Sequence, residues 1–550
     1  MKHNNNKTRM IIETQDKDGK NIVEDVCPYF EVTRIIKKIP PDTAPEEAEV
    51  YVNNGNFQKT FRLELENVSD MQYVMKICCK NYLIIPQCFK NLVYDEILRQ
   101  IYKQISQNKY GYEHKCLGWY EIDGRKIFLL EHTNLMNGYS SDCIRTCGKF
   151  VNGRETVYDN MLNNEVFNNI SMTLAYILGF CSVVVSRISP FRDLGVLIVG
   201  LTGRSTTGKT TALKLMASIW GDTDDIKGTA ILRNNASDLG FISQCSGLFG
   251  YPILWDDLFT NSKITADDFF YDKSKGTQRA TSKSNGDTDL SRMGFSGLVA
   301  ITGENSLLEK TRGQIGLFMR TIDFHEKRWT TSGQNSTAIK NCVAQNYGHK
   351  ALPFVQYIQN MDDITLLSFF DNCVEEIMAK IKSRDDFTDR VSKKYAVILL
   401  TAKLVNCCFG LKLDENKIID FALKSEIEQQ EERNKSKLAY EFLYSYYSSN
   451  KDNFDIKNKD NNTTILAKNK REGIVSIKGD ETHIYIPTRI AREILRLNNF
   501  PQIDSYKIEW KENGYTKCES NRYDKSNLEL GRHFHFVYVD INKEKNNVSQ

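Results

Sequence analysis

The sequence predicts an α/β protein whose central part is a parallel sheet covered by helices. Within residues 161–345, short apolar stretches alternate with stretches of helical periodicity, as in a parallel sheet with crossover helices. A glycine-rich loop follows the first apolar stretch and leads into a helix, which is the local order of a phosphate-binding unit. The predicted strands of this sheet lie at 196–199, 253–255 and 298–301.

Composition and periodicity divide the chain into six segments. Residues 1–26 have too little apolar content to offset chain entropy, so we expect them to be disordered. Residues 27–160 combine alternating stretches with a helical stretch, which predicts an α+β domain with a hairpin that turns at Asp123-Gly124. The other predicted segments are the α/β core at 161–345, a helical subdomain or lid at 346–447, a polar linker at 448–462 and a small winged-helix-like domain at 463–550.

The composition is that of an ordinary soluble protein. Of 550 residues, 41% are hydrophobic and 26% are charged, and 73 basic side chains nearly balance 70 acidic ones. The formal net charge of +3 does not indicate a nucleic-acid binder, so any DNA-binding surface must be local. The 14 cysteines are scattered without a CxxC pair, which indicates reduced thiols rather than a zinc site.

Apolar stretches along the chain predict a cytoplasmic protein with no membrane partner. Residues 1–25 lack an apolar stretch of signal-peptide length. The most apolar long stretch, 170–188, is interrupted by serine, threonine and glycine and carries Arg187 near its end. This pattern favours a buried helix over a membrane span.

A phosphate-binding motif lies at Gly203-Arg204-Ser205-Thr206-Thr207-Gly208-Lys209-Thr210, which fits G-x-x-x-x-G-K-[ST] without a mismatch. Glycines let backbone N–H groups approach a dense anion, and the N-terminus of the following helix adds positive potential. We therefore predict an ATP site in which Lys209 reaches the β- and γ-phosphates and Thr210 binds Mg²⁺. The predicted nucleotide-binding residues are Gly203, Ser205, Thr206, Thr207, Gly208, Lys209, Thr210 and Thr211.

Two adjacent acidic residues follow the second predicted strand. In an ATP-hydrolysing protein, Asp256 would bind Mg²⁺ through water and Asp257 would polarise the attacking water. Glutamate is usual at the second position, and aspartate is one methylene shorter. The shorter side chain puts the rate of hydrolysis in doubt more than nucleotide binding. The alternative is that both acids only cap the junction between strand and loop.

The third predicted strand runs into Thr302-Gly303-Glu304-Asn305. A polar side chain at this place can sense the γ-phosphate, and Thr302 is the first candidate and Asn305 the second. Further on, Arg320 precedes another strand-like stretch and could reach the γ-phosphate of a neighbouring subunit. Arg312 competes for this role, and a surface salt bridge is the alternative for both.

A basic insertion lies at 261–292, between the second and third predicted strands. Four basic side chains near its middle are available to bind phosphates: Lys273, Lys275, Arg279 and Lys283. Repeated around a ring, such a loop would line a pore and grip DNA. A solvated surface hairpin is the alternative.

Five stretches, in this order, resemble one known family: 203–220, 252–258, Lys275-Gly276-Thr277-Gln278-Arg279, Thr302-Gly303-Glu304 and Tyr347-Gly348-His349. The family has an uncharacterised domain and consists of phage-, plasmid- and cassette-encoded replication ATPases. It includes the cassette-chromosome replicative helicases, which are similar to the minichromosome-maintenance helicases.

The resemblance covers roughly residues 28–421 and implies a P-loop AAA+ ATPase core. It implies a homo-oligomer, a hexameric ring, that translocates on single-stranded or forked DNA and unwinds it, with the inserted hairpin in the central pore. Asp257 departs from the glutamate of the family, and Thr302 stands where the family has a Ser-Thr pair. Neither departure changes the class.

Three functions remain open on the sequence. The first is a DNA helicase for replication of a mobile genetic element, and the basic loop favours it. The second is an ATP-regulated DNA-binding or assembly protein without unwinding activity, and the shorter side chain of Asp257 favours it. The third is an ATPase that acts on protein, for which an aromatic pore loop would be expected instead.

Overall fold

The structure is a computed structural model. It describes residues 1–4, 6–15, 17, 19–39, 46–122, 124–134, 140–143, 150–224, 231–233, 245–256, 294–307, 321–381, 388–433, 435–500, 503–518 and 522–539.

Strands and helices are numbered separately in chain order. The strands are β1 (Lys2–His3), β2 (Arg9–Gln15), β3 (Asn21–Lys38), β4 (Glu47–Asn53), β5 (Gln58–Glu64), β6 (Tyr110–His114), β7 (Leu117–Ile122), β8 (Arg125–Leu129), β9 (His132–Asn134), β10 (Ser140–Cys143), β11 (Leu197–Thr202), β12 (Ile231–Arg233), β13 (Leu248–Phe249), β14 (Ile253–Asp256), β15 (Leu298–Gly303), β16 (Thr321–His325), β17 (Phe454–Asn458), β18 (Thr463–Ile465), β19 (Gly473–Lys478), β20 (Glu481–Pro487), β21 (Lys525–Asn527) and β22 (Gly531–Val539). The helices are α1 (Met71–Lys80), α2 (Lys90–Ser106), α3 (Glu155–Met161), α4 (Ile170–Arg192), α5 (Lys209–Ser218), α6 (Gly333–Val343), α7 (Ala351–Gln359), α8 (Asp363–Lys380), α9 (Thr388–Phe409), α10 (Glu415–Arg433), α11 (Lys435–Ser449), α12 (Thr488–Leu497) and α13 (Ile503–Glu512).

The N-terminal unit is an eight-stranded mixed sheet packed against α1 and α2. Its strands follow the order β1-β2-β3-β6-β10-β9, and β4 and β5 extend it from β3. Alternate residues of β4 are buried, as in a sheet with one covered face. The side chain of Asp70 accepts from the Gln72 N–H and caps α1. Strands and helices therefore mix in this unit as the α+β prediction requires.

The first 26 residues are not disordered, and that prediction is wrong. Strand β2 pairs antiparallel with β3 from Gln15↔Asn21 to Arg9↔Pro28. Met10 and Val26 are both buried in the core of the N-terminal unit. The low apolar content of this segment suggested disorder, but pairing with β3 satisfies the backbone of β2, and Met10 and Val26 reach the core.

The predicted hairpin around residue 124 is present, but it packs outside the N-terminal unit. Strands β7 and β8 pair antiparallel up to Ile122↔Arg125, and β7 also pairs with β13. Trp119 donates its indole N–H to the Val183 carbonyl of α4, at 3.0 Å. An added Cβ at Gly118, where φ is +106°, would lie 1.9 Å from the Phe249 carbonyl oxygen. The hairpin thus belongs to the central core, which begins well before residue 161.

The central sheet has five parallel strands in the order β12-β14-β15-β11-β16. All six residues of β11 are buried, since parallel neighbours flank it on both edges and helices cover the sheet. The three strands predicted here are present as β11, β14 and β15, each extended by one to three residues at its end. The α/β prediction is confirmed as a mixed α/β fold with a parallel sheet.

Helix α4 is long and apolar enough to cross a membrane by length and composition, but 94% of its most apolar window is buried inside the protein. It is therefore a buried helix of the core, as predicted from the serine, threonine and glycine residues that interrupt this stretch. Phe180 contacts Phe354 of α7, with ring centroids 4.7 Å apart. The helical region after β16 therefore shares one hydrophobic core with α4 and the sheet.

The C-terminal unit begins at α11, so the predicted linker at 448–462 is wrong. Helix α11 ends within that segment and β17 lies inside it. Leu443 and Tyr447 of α11 are buried in one core with Val475 and Trp510. The indole N–H of Trp510 donates to the Ser436 carbonyl, at 2.7 Å. The polar composition of 448–462 indicated a linker because exposed polar residues at 451–452 and 459–462 flank β17, whose own residues are buried or half-buried.

Two histidines lie side by side on the C-terminal sheet: His535 is buried and His483 is half-buried. His483 Nδ1 is 3.0 Å from His535 Nε2, and Lys525 Nζ is 3.3 Å from His535 Nδ1. The ring of Tyr485 stacks on His535 with centroids 4.3 Å apart. Burial, and to a smaller extent the charge of Lys525, lower the pKa of His535 from 6.5 to about 3.

Replacing Leu443 by Ala is expected to destabilise the C-terminal unit by about 2–5 kcal/mol, because it leaves a cavity in a closed core. Hydrogen exchange followed by mass spectrometry should accelerate in β19, β20 and β22. Ser445→Ala, at an exposed position of the same helix, is the matched control. If α11 belonged to another unit, exchange in these strands would stay at the wild-type rate.

The stability of the C-terminal unit is expected to fall as the pH drops below about 6.5. As the pH falls, His535 takes up a proton near pH 6.5 in the unfolded chain but only near pH 3 in the folded unit. His535→Gln should remove much of this acid dependence, as measured by hydrogen exchange at pH 7 and pH 4.5. His3→Gln, at an exposed histidine, should leave it unchanged. Equal acid dependence in both variants would contradict this account.

Candidate functional site

The phosphate-binding motif forms a loop at the carboxyl end of the central sheet. Strand β11 ends at Thr202 and α5 begins at Lys209, with the loop 203–208 between them. The Gly203 N–H donates to the carbonyl of Gly303, the last residue of β15, at 3.1 Å. Thr206 has φ of +70°, so the loop turns through a left-handed conformation at a non-glycine residue.

Both motif glycines are required by close contacts behind the loop. An added Cβ at Gly203, where φ is +119°, would lie 2.8 Å from the Glu326 backbone nitrogen. At Gly208, where φ is +89°, it would lie 2.6 Å from Thr330 Oγ1. The Trp329 N–H donates to the Thr207 carbonyl at 2.8 Å. The segment that follows β16 therefore supports the loop from behind.

Lys209 folds back onto the loop. Its Nζ donates to the carbonyls of Gly203 at 2.6 Å and Arg204 at 2.7 Å. On the other side of the loop, the Arg204 N–H donates to Glu326 Oε1 at 3.2 Å. The ammonium group is thus held where the loop backbone turns, in position to meet an anion bound in the loop.

Three predicted residues meet at the ends of three elements. Thr210 Oγ1 of α5 donates to Asp256 Oδ1 at 3.3 Å, and Thr302 Oγ1 of β15 donates to the same oxygen at 2.6 Å. A hydroxyl and a carboxylate are oxygen ligands of the kind that Mg²⁺ prefers, so this donor set fits the metal. Asn305, the second sensing candidate, is exposed and is not among the described residues that line the adjacent cavity.

A cavity of about 490 Å³ opens beside these residues. Its volume lies within the range of small-molecule sites. Of the predicted nucleotide-binding residues, all but Gly203 line it. The described lining residues are Ser205, Thr206, Thr207, Gly208, Lys209, Thr210, Thr211, Asp256, Thr302, Gly303, Glu304, Arg328, Thr330, Ser332, Gly333, Ser336 and Lys340.

Several lining residues were not predicted from the sequence. Arg328 and Thr330 come from the segment after β16, and Lys340 comes from α6. Helix α6 reaches the site because it packs on α5, where Thr211 Oγ1 and Ser336 Oγ are 2.7 Å apart. A run of small polar residues at 330–336 was the available signal, but nothing local indicates that it faces the loop.

A buried carboxylate connects the loop strand to its neighbours. Asp323 of β16 accepts from Thr202 Oγ1 at 2.7 Å, from Ser306 Oγ at 2.7 Å and from the Leu307 N–H at 2.9 Å. Burial raises the pKa of Asp323, and these hydrogen bonds oppose the increase. Because one donor lies at the end of β11 and two lie just after β15, Asp323 of β16 links the ends of these three strands beside the loop.

Other predicted site residues lie outside the described residues. They are Asp257, Lys273, Lys275, Arg279, Lys283, Arg312 and Arg320. Their roles in catalysis, in DNA binding and at a subunit boundary stay predictions.

Comparison with known proteins agrees with the resemblance stated from the sequence. Residues 94–292 match the family model described as a domain of unknown function (DUF927). Residues 434–528 match the model described as the Cch helix turn helix domain, which starts where α11 begins. No curated protein matches the chain.

A solved structure described as "SCCmec type IV Cch - active helicase" has a similar fold. The similarity covers 97% of this chain and 96% of that chain, with a TM-score of 0.75 and 20% sequence identity. At this identity the likeness shows a shared fold. Together with the two family models, it confirms the resemblance to the cassette-chromosome helicases.

Gly208→Ala is expected to destabilise the protein by about 1–3 kcal/mol, because the added Cβ meets Thr330 at a strained φ. Gly333→Ala provides the matched control at the start of α6, where nothing lies within 4 Å of an added Cβ. That change should stabilise by about 0.4–1 kcal/mol. Urea unfolding measures both, and shifts of the same sign would contradict the loop geometry.

Proposed function

We propose that this chain, which resembles the cassette-chromosome helicases over nearly its whole length, is an ATP-hydrolysing AAA+ motor that unwinds DNA during replication of a mobile genetic element. The observation that carries the proposal is the meeting of Thr210, Asp256 and Thr302 beside Lys209, at one edge of a parallel sheet. In α/β sheets, ligands bind at this carboxyl edge. The helical region after β16 would serve as the lid, and the C-terminal unit as the winged-helix-like domain.

ATP is the substrate that the cavity fits best. In the proposed complex, the N–H groups of the loop and the ammonium of Lys209 hold the β- and γ-phosphates. Thr210 and Asp256 hold Mg²⁺, which when bound would offset negative charge on the phosphates. Thr302 orients Asp256 through the hydrogen bond between them. Arg328 and Lys340 add positive charge to the same cavity.

The proposed motor works as a hexameric ring on single-stranded or forked DNA. Lys273, Lys275, Arg279 and Lys283 of the basic insertion would grip DNA phosphates in the central pore. Arg320 would act on the nucleotide of a neighbouring subunit. The helix-turn-helix match and the described relative, an active helicase, both support DNA as the partner.

Lys209→Ala is expected to lower ATP turnover by at least about 100-fold, because it removes the cation that meets developing charge on the phosphates. The assay measures ATP hydrolysis by the purified protein with and without single-stranded DNA. Lys214→Ala, on the same helix but outside the described cavity lining, should retain wild-type turnover.

The same assay separates the two functions that involve DNA. Turnover that rises with DNA, together with strand displacement on forked DNA, supports the helicase. ATP binding without DNA-stimulated turnover would contradict it and would favour an ATP-regulated DNA-binding or assembly protein. In that case Asp257→Glu is the first change to make.

A further inference from the structure

Glu304 is a carboxylate that lies between the phosphate loop and the metal-side aspartate. It follows Gly303, the last residue of β15, whose carbonyl accepts the Gly203 N–H of the loop. On its other edge β15 pairs with β14, the strand that ends at Asp256. Its position in the chain therefore places Glu304 at the edge of the sheet, between the two parts of the candidate site.

The side chain of Glu304 points into the cavity. Glu304 lines it, and Ser205 Oγ of the loop donates to Glu304 Oε1 at 2.7 Å. Thr302 and Gly303, the two residues before it, line the same cavity. The carboxylate thus reaches the third residue of the phosphate motif directly.

Asp256 and Glu304 are the two carboxylates among the described residues that line the cavity. Oδ1 of Asp256 accepts from two hydroxyls, those of Thr210 and Thr302, in the arrangement that suits a metal-side ligand. Glu304 contacts the loop instead, on the side of the site where phosphate is expected to bind. The two carboxylates therefore have separate places and can have separate roles.

We infer that Glu304 is a catalytic residue that activates the attacking water, an assignment that rests on the proposed ATPase function. The water oxygen forms a bond to the γ-phosphorus while the bond from that phosphorus to the β–γ bridging oxygen breaks. The bonding electron pair leaves with ADP. One proton of the water passes to the Glu304 carboxylate and then to the phosphate product or to solvent.

The hydrogen bond from Ser205 couples the Glu304 carboxylate to phosphate binding in the loop. A phosphate oxygen bound in the loop offers the Ser205 hydroxyl a second charged acceptor. When the hydroxyl turns to the phosphate, the carboxylate of Glu304 is released to accept from water. Because Glu304 is exposed, a bound γ-phosphate changes which group donates to Oε1, the Ser205 hydroxyl or the attacking water, and not whether solvent reaches the carboxylate.

Glu304→Gln tests the assignment, with Glu326→Gln as the matched control. Glu326 also accepts a hydrogen bond from the loop, from the Arg204 N–H, but it is not among the described cavity-lining residues. Three quantities are measured on the full chain: affinity for a fluorescent ATP analogue, the single-turnover rate of ATP hydrolysis, and the identity of the nucleotide retained on the protein.

Glu304→Gln should bind the ATP analogue within about threefold of wild type and hydrolyse ATP at least about 100-fold more slowly. The nucleotide retained on this variant should be ATP rather than ADP. Glu326→Gln should keep the wild-type rate. Glu304→Asp, which keeps a carboxylate, should be faster than Glu304→Gln. If the Gln variant fails to fold, Glu304→Ala takes its place, and it should be slower than Glu304→Asp by a similar factor.

A Glu304→Gln rate equal to that of Glu326→Gln would overturn the inference and leave the proposed ATPase intact. If Asp257→Asn loses turnover while Glu304→Gln keeps the wild-type rate, Asp257 is the residue that activates the attacking water. If wild type binds ATP but does not hydrolyse it with DNA present, the proposed function fails and the inference with it.

Discussion

The parallel register of β11, β15 and β14 sets the position of the candidate functional side chains at the strand ends. Thr202 lies opposite Gly303, and Trp255 lies opposite Ile301, so all three strands end at nearly the same level. Because parallel strands need no direct turn between them, each end is free to carry a loop or a functional side chain. A shift of one residue in one strand would turn Thr302 or Asp256 away from the site.

The loop itself is shaped by contacts from outside its own sequence. The segment after β16 closes against Gly203 and Gly208, and the same segment brings Arg328 and Thr330 to the cavity and leads into α6. Support of the loop and lining of the site therefore come from one piece of chain. Any displacement of the helical region relative to the sheet would change both together, which couples the shape of the loop to the position of the helices.

Local signals in the sequence predicted the motif and the strands that carry it, because an apolar run and a glycine loop depend only on neighbouring residues. The contact between Thr302 and Asp256 was partly predictable, since both follow strands of one parallel sheet. Arg328 and Lys340 were not predictable, because they reach the cavity through packing between distant segments. Glu304 directly follows a predicted strand, but its contact with Ser205 was not predicted. The errors at residues 1–26 and at 448–462 have the same origin: each segment is polar in composition, yet it contains a strand that is held by pairing with a neighbouring strand.

Polar groups around the cavity already make the types of contact that a triphosphate would offer. The ammonium of Lys209 binds two loop carbonyls, and the hydroxyls of Thr210 and Ser205 bind Asp256 and Glu304. Phosphate oxygens would exchange with these acceptors, so binding replaces hydrogen bonds more than it adds them. The net gain is then mainly electrostatic, from an anion placed at the N-terminus of α5 with Lys209, Arg328 and Lys340 around it. In the proposed ATPase, an exchange of this kind would favour release of the nucleotide, because Lys209, Thr210 and Ser205 each have a protein acceptor within reach.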